Sequence, residues 1–441
     1  MDIAKNKNGL SVKQAIFPMV GSILGSGVLT LPAAAEASGY LLSGPILIFV
    51  SSICAFTLFQ LVHCARELGT ENPSYFAVCQ SAYPVLGYFA ELCIGMQGFG
   101  AITVYVLILK QWVASLIGIK SMLEYMPYDI LFTLLLLVIP TGLSLQKSLK
   151  KLSFISILST VSVIFLSLFV LLSGILALVL PSNGIARDSI KAVTTAPSDI
   201  AKALSGYIFS LGCQQNMVSI FSLLENPTKA NGARVGVIAV SIASVAYFLV
   251  ANGGYIAGGN GQNTSILDVL ADTTRPFYQI ILSNFGQRWG TLYFHLITLS
   301  KLAMIIVLLG AYPLQMHPTR DSVLTFLNIF FKERIAKNKR AVEISIIFLI
   351  TAIVFIESLF NFSYAFVMNL IASTASCSIM FLLPSMCYIL SRNRSFIATL
   401  ISKYIFAACA MFSLWSTYSL LGLSIGSRIL ALIAIVFGES E

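Results

Sequence analysis

Long apolar runs separated by short polar connections make up most of the 441-residue chain. A helix needs about 20 mostly apolar residues to cross a bilayer. On that measure, spans are predicted at roughly 15–38, 44–66, 85–109, 128–146, 153–180, 199–223, 235–258, 290–316, 343–360, 363–390 and 400–424. That makes eleven. The tail SRILALIAIVFGESE is apolar again, but it is too short to cross and contains Arg428. It reads as an extension or an interfacial segment rather than a twelfth span. The longest connections, roughly 181–198, 259–289 and 317–342, are polar and short, so no globular domain is expected.

Composition agrees with the pattern. The chain is 57% hydrophobic and 10% charged, where a soluble protein carries about 25% charged residues. The class is therefore an all-α polytopic membrane protein. A net charge of +9 raises nucleic acid as a partner, but the basic residues are dispersed and make no aromatic-interleaved face, so that partner is set aside. The first apolar stretch lacks a short core ending in a small-residue cleavage site and reads as the first span, not as a cleaved signal. Eight cysteines, mostly in apolar segments and none in a CxxC pair, support neither disulfides nor a metal site, and no cofactor is implied.

Lys and Arg positions orient the spans. Eighteen fall on the side of the N-terminus and eight on the other, with Lys301 left inside a span. The N-terminus is thus expected in the cytosol and the C-terminus on the far side. A glycosylation triplet, Asn263 to Ser265, falls on that far side. A second, Asn361 to Ser363, lies too close to the membrane to add weight.

Two spans carry residues a membrane helix avoids. GSILGSGVLT, residues 21–30, is half glycine and serine and is followed by Pro32, although glycine costs about 1 kcal/mol in a helix interior. Gly21, Gly25 and Gly27 can unwind and free amides for a carboxylate. Close helix packing is the other reading, since Gly21 and Gly25 are four apart. The sixth span, YIFSLGCQQNMVSIFSLLENPT, places Gly212, Gln214, Gln215 and Asn216 at mid-membrane depth, where three amides need a cavity or a partner helix. Two five-span repeats of opposite orientation put corresponding helices at positions one and six. Paired interruptions there point to a transporter's binding site.

Three blocks then carry a family likeness: GSILGSGVLTLPAAAEASGY at 21–40, CQQNMVSIFSLLENPTKAN at 213–231 and YPLQMHPTRDSVL at 312–324. In spans one, six and eight they resemble the amino acid/auxin permease family, with its vacuolar and neutral amino acid transporters. The resemblance implies the LeuT-like 5+5 inverted repeat, with helices 1 and 6 broken. Its segments would be 1–14, a cytosolic N-terminal segment; 15–180, the first repeat; 199–390, the inverted second repeat; and 391–441, the eleventh helix and tail. It also implies secondary transport of amino acids across a vacuolar, lysosomal or plasma membrane. Substrate would sit at Gly21, Ser22, Gly25, Ser26 and Gly27 of span one and Gly212, Cys213, Gln214, Gln215 and Asn216 of span six. Pro313, Pro318 and Arg320 would mark the cytosolic end of span eight.

The sodium-coupled branch of that family has an asparagine where this chain has Gly21, and a span-eight threonine where alignment by eye gives Ile306. Losing both oxygens points to proton coupling or uncoupled exchange, unless Thr298 and Ser300 stand in. Glu91, His295 and Lys301 are the ionisable candidates for carrying a proton, although Lys301 can snorkel and His295 can be an interfacial hydrogen-bonder. Tyr105 can donate to a bound carboxylate or belong to an aromatic belt. An intramembrane enzyme is the rival class. It needs a histidine paired with a nucleophile at depth, whereas His63 and His317 fall at span ends and GxSxG is missing.

Overall fold

Lipid offers a backbone amide no partner, so each apolar run must satisfy its own peptide groups, which a helix does within one segment. The computed structural model describes residues 9–70, 73–146, 153–184, 190–261, 265–360 and 364–437. Their regular structure is helical apart from one isolated bridge between Leu10 and Leu224.

The first span is two helices, α1 (Val12–Ile23) and α2 (Leu31–Ser38), joined through a 3-10 turn over Ser26–Thr30. The single helices α3 (Tyr40–Leu68), α4 (Tyr75–Ala82), α5 (Pro84–Ile117), α6 (Met126–Ser144) and α7 (Ser153–Val179) follow. The sixth span is divided again, into α8 (Pro197–Leu211) and α9 (Gln214–Ser222). Beyond it come α10 (Lys229–Gly258), the short α11 (Ile266–Ala271) and α12 (Pro276–Phe285), then α13 (Gln287–Lys337) and α14 (Lys339–Leu359). The tenth span is α15 (Tyr364–Ile371) and α16 (Leu383–Leu390) with π-wound stretches between them, and α17 (Phe396–Phe437) closes the described chain.

Among the described residues, nine stretches are long and apolar enough to cross a membrane, and the bent pair α1–α2, whose halves meet at 51°, makes a tenth. The shorter, more polar α8–α9 pair accounts for the remaining predicted span. Local signals set several ends. Ser11 caps α1 through a reciprocal pair with Gln14, its hydroxyl accepting from the Gln14 amide while the Gln14 side chain accepts from the Ser11 amide at 3.0 Å. Pro84 opens α5 at a position where the missing amide costs nothing.

α5 packs along α13, and α10 packs on α3, α7 and both halves of the broken first span, with α2 lying against α8 of the broken sixth. α6, α14 and α17 lie outside and present apolar side chains such as Leu135, Val138, Leu349 and Leu414 outward, as lipid requires. The side on which α1 begins is called the near face below, and the opposite side the far face.

The structure corrects the sequence in two places. Residues 317–330, expected as a connection, continue α13, which kinks at Phe331 (φ −129°, ψ 28°) before running on to Lys337, so Pro313 and Pro318 lie inside the helix rather than at its end. Each proline removes a hydrogen bond. The buried face formed by His317, Thr319, Ser322 and Leu324 carries the helix past them, with Ser322 bonded to Glu91 on α5. The connection at 259–289 holds two helices, α11 and α12. Of the two readings of the tail, extension and interfacial segment, the structure has the extension, because α17 runs without interruption to Phe437. Asn263 and Asn361 of the glycosylation triplets lie outside the described residues.

Candidate functional site

α1 ends where glycine and serine replace apolar residues. Leu24 and Gly25 leave helical geometry, at φ −69°, ψ 89° and φ −131°, ψ −158°, and the chain resumes as the 3-10 turn beginning at Ser26. Ser22 turns its hydroxyl back to the Met19 carbonyl at 2.8 Å, while Gly21 sits half-buried in the last turn of α1. A β-carbon on Gly25 would meet the Ile23 carbonyl at an ordinary 3.9 Å, whereas Gly27 is needed for close packing. A β-carbon there would meet the Ser210 hydroxyl at 2.7 Å and its Cα at 2.8 Å.

The sixth span breaks at the same level. Gly212 (φ −62°, ψ 108°) and Cys213 (φ −146°, ψ 0°) separate α8 from α9. Gln214 is fully buried and turned into the protein: its Nε2 reaches the Cys54 sulfur and the Thr57 hydroxyl on α3, each at 3.3 Å, and its Oε1 accepts from the Cys213 amide. The Cys54 thiol donates to the Leu211 carbonyl at 3.8 Å. Gln214 thus holds the break open from behind. Gln215 is half-buried and Asn216 exposed.

One side chain ties the two breaks together. The Tyr247 hydroxyl, fully buried on α10, donates to the Ile23 carbonyl at 2.5 Å and lies 3.0 Å from the Ser210 carbonyl, the C-terminal ends of α1 and α8. Sequence reasoning missed it, since a tyrosine in SVAYFLV carries no local signal. Replacing it with phenylalanine removes the one proton that the two buried carbonyls share, at about 1–3 kcal/mol for an unsatisfied group. Tyr247→Phe is expected to lower the melting temperature by several degrees and to weaken uptake. An unchanged melting curve would show that the carbonyls find other donors.

Backbone charge follows from this arrangement. Helix C-termini carry partial negative charge and N-termini partial positive charge. α1 and α8 end at the breaks, while the 3-10 turn leading to α2 and the helix α9 begin there. The two breaks therefore present both signs of charge within one small volume, a match for an ammonium and a carboxylate on one carbon.

The ionisable candidates separate. Lys301 is buried and pairs with Asp268 of α11 at 2.7 Å. That carboxylate also accepts from Ser265 at 2.6 Å and, from α5, Trp112 at 2.9 Å and Gln111 at 3.2 Å. α11 packs on the 3-10 turn of span one, and its flank Ile266 and Pro32 of α2 meet at Gly254 of α10. Lys301 is thus no snorkelling anchor: it pins the far-face segment that lies against the first break. His295 is exposed on the outer side of α13, and Glu91, half-buried toward the near end of α5, accepts from Ser322 at 2.7 Å. Tyr105 is buried within α5. Sequence reasoning also missed Asp268, Glu357, which accepts from Thr103 at 3.0 Å, and the buried pair of Lys110 with Asp129.

Of the sodium candidates, Thr298 and Ser300 direct their hydroxyls to the carbonyls of Phe294 and Leu296 in their own helix. Ile306 is half exposed on the outer side of α13, so it does not occupy an inward ligand position, which corrects the alignment by eye.

Two facing broken helices with converging backbone ends, inside an eleven-span bundle, define a membrane transporter of the inverted-repeat type. The chain belongs to the family described as transmembrane amino acid transporter protein, whose model matches residues 8–425. Its relatives include Vacuolar amino acid transporter 6 of Saccharomyces cerevisiae, 23% identical over 74% of this chain and 68% of that one. Vacuolar amino acid transporter 5 of Schizosaccharomyces pombe is 26% identical over 85% and 83%. Sodium-coupled neutral amino acid transporter 7 of Danio rerio is 24% identical over 87% and 80%. Among solved structures, MhsT in complex with L-phenylalanine matches with a TM-score of 0.54 at 13% identity, covering 95% of this chain and all of that one, a likeness of fold. The fold is LeuT-like, and the protein is an integral membrane secondary transporter of amino acids, not an enzyme.

Proposed function

We propose that this transporter couples amino acid movement to protons, with the substrate held between the breaks at Gly25–Gly27 and Gly212–Gln215. The observation that carries the reading is the junction of the two breaks, where Gly27 touches Ser210 and Tyr247 joins both helix ends. The substrate carboxylate takes the amides opening the 3-10 turn and α9, and its ammonium takes the last carbonyls of α1 and α8. Ser22, Asn216 and Tyr105 line the approaches, and the backbone of Ser26 opens the turn. Residues 15–180 and 199–390 act as the two inverted repeats that rock about this point, and 391–441 stands outside them.

The Lys301–Asp268 pair is the coupling element in this reading. Separation of the pair at the far face frees α11 from the first break. Glu91 and His295 lie away from that contact and serve as secondary proton sites at most. Sodium is the second reading, because one relative's name carries it. Against it, Tyr312 is the one residue with a side-chain oxygen between 302 and 314 of α13, and a hard cation wants several oxygens. The Lys and Arg bias places the near face in the cytosol, and the relatives' names favour a vacuolar membrane.

Uptake of labelled amino acids into proteoliposomes tests this directly. A proton gradient is expected to drive accumulation, and a sodium gradient to leave it at the level seen without any gradient. Accumulation with sodium alone would overturn the proton reading and leave the site in place.

A further inference from the structure

Gln97 of α5 has an amide oxygen that no described residue completes. A β-carbon placed on Gly212 would lie 3.5 Å from Gln97 Nε2 and 3.7 Å from the Met380 sulfur, so both side chains close on the bare backbone of the sixth-span break. Gln97 Oε1 is buried and has no hydrogen-bond partner among the described residues. One turn before Met380, the Ser376 hydroxyl is fully buried and equally without a partner. Ser376 belongs to the π-wound stretch Ala372–Ser376, which packs on both α5 and α8. Such π insertions within helices are frequent at functional sites. Two orphaned polar atoms on elements that pack together beside one helix break are costly unless a ligand or water completes them.

Charge is missing from the same junction. Neither α9 nor the tenth span, 364–390, contains Asp, Glu, Lys or Arg. The charged residues of α5, Glu91 and Lys110, are engaged elsewhere, with Ser322 and with Asp129. An ionised side chain seated here would lose its hydration with no opposite charge to replace it.

We infer that Gln97 and Ser376 form the side-chain subsite, and that it selects amino acids whose side chain is uncharged and carries a hydrogen-bond donor, a carboxamide or a hydroxyl. The inference rests on the reading that the two breaks hold the substrate. Gln97 Oε1 accepts the ligand's N–H or O–H, and its Nε2 together with the Ser376 hydroxyl supplies donors to the ligand's oxygen. Gly212 leaves the space that the side chain fills.

The test is ligand-induced thermal stabilisation of the purified full chain with glutamine, asparagine, threonine, leucine, lysine and glutamate, converted to affinities. The wild-type protein is expected to bind the three polar uncharged ligands most tightly. Gln97→Leu is expected to weaken these by roughly tenfold or more while leucine binding holds or improves, since a site built for a hydrogen bond discriminates strongly. Gln97→Asn keeps the polar ranking, and Ser376→Ala shifts it in the direction of Gln97→Leu by less. Where leucine at 97 prevents folding, Gln97→Met of similar shape gives the same readout. An unchanged ranking in Gln97→Leu or Gln97→Met, alongside loss of all binding in Gly27→Val, overturns the subsite and leaves the site between the breaks standing. Tightest wild-type binding of lysine or glutamate overturns it as well. Unchanged binding in Gly27→Val itself sinks the underlying site.

Discussion

Replacing Lys301 with methionine is expected to abolish proton-driven accumulation. The Asp268 carboxylate would keep its neutral donors, Ser265, Trp112 and Gln111, but lose the only cation paired with it among the described residues. Removing one partner of a buried ion pair costs about 3–5 kcal/mol, because the remaining charge stays desolvated. Here the side chains are 6% and 15% exposed, so solvent relieves little of that cost. The loss falls on α11, which lies against the first break, so far-face closure fails before the bundle does. Asp268→Asn separates closure from charge. A neutral amide keeps the shape of the side chain without its charge, so exchange of amino acids across equal pH continues while the response to a proton gradient disappears. The double variant is expected to recover the stability lost by Lys301→Met, since no charge then remains buried. Proton-driven uptake at wild-type rates in either single variant would remove the pair from the coupling path.

The second large effect is expected at Gly27. A valine there drives a β-carbon to within 3.0 Å of three Ser210 atoms, two of which, Oγ and Cα, it meets at 2.7 and 2.8 Å. Overpacking of this kind costs about 1–3 kcal/mol, which drawn from substrate affinity is roughly five- to 150-fold. Gly27→Val is expected to reach the membrane folded and to lose labelled uptake, with Gly27→Ala intermediate. Ser210→Gly removes the clash with the hydroxyl but leaves the clash with the backbone, so it restores part of the loss. Full activity in Gly27→Val would mean that the two breaks do not need to touch.

The eleven spans were legible because lipid imposes a long apolar run on each, a constraint acting within one segment. The breaks were legible for the same reason in reverse: Gly25, Gly27, Gly212 and three consecutive amides are locally wrong for a membrane helix. What the breaks do with their side chains was not legible. Gln214 looks like a pocket residue in sequence, yet it reaches back to Cys54 and Thr57, some 160 residues away. Tyr247 meets Ile23 across a separation of 224 residues. Asp268 and Lys301 find each other only because α11 folds back from a connection that reads as a polar loop. Pro313 and Pro318 misled for a local reason, since proline signals a helix end unless packing on a neighbour, here α5, carries the helix through. Ile306 shows the limit of aligning one helix by eye. A register slip of one residue turns a position by about 100° on a 3.6-residue helix, enough to exchange an inward face for a lipid-facing one.

Cysteine protection by substrate tests the central claim, that the two breaks form the amino acid site. Gly25→Cys and Gln215→Cys, each in a Cys213→Ala background, would be modified in proteoliposomes by a small thiol reagent, with and without saturating transported amino acid. Thr298→Cys on α13 serves as the control position away from the breaks. Both break cysteines are expected to be modified several times more slowly with substrate present, and the control at an unchanged rate. Equal modification rates at both breaks under saturating substrate would contradict the site.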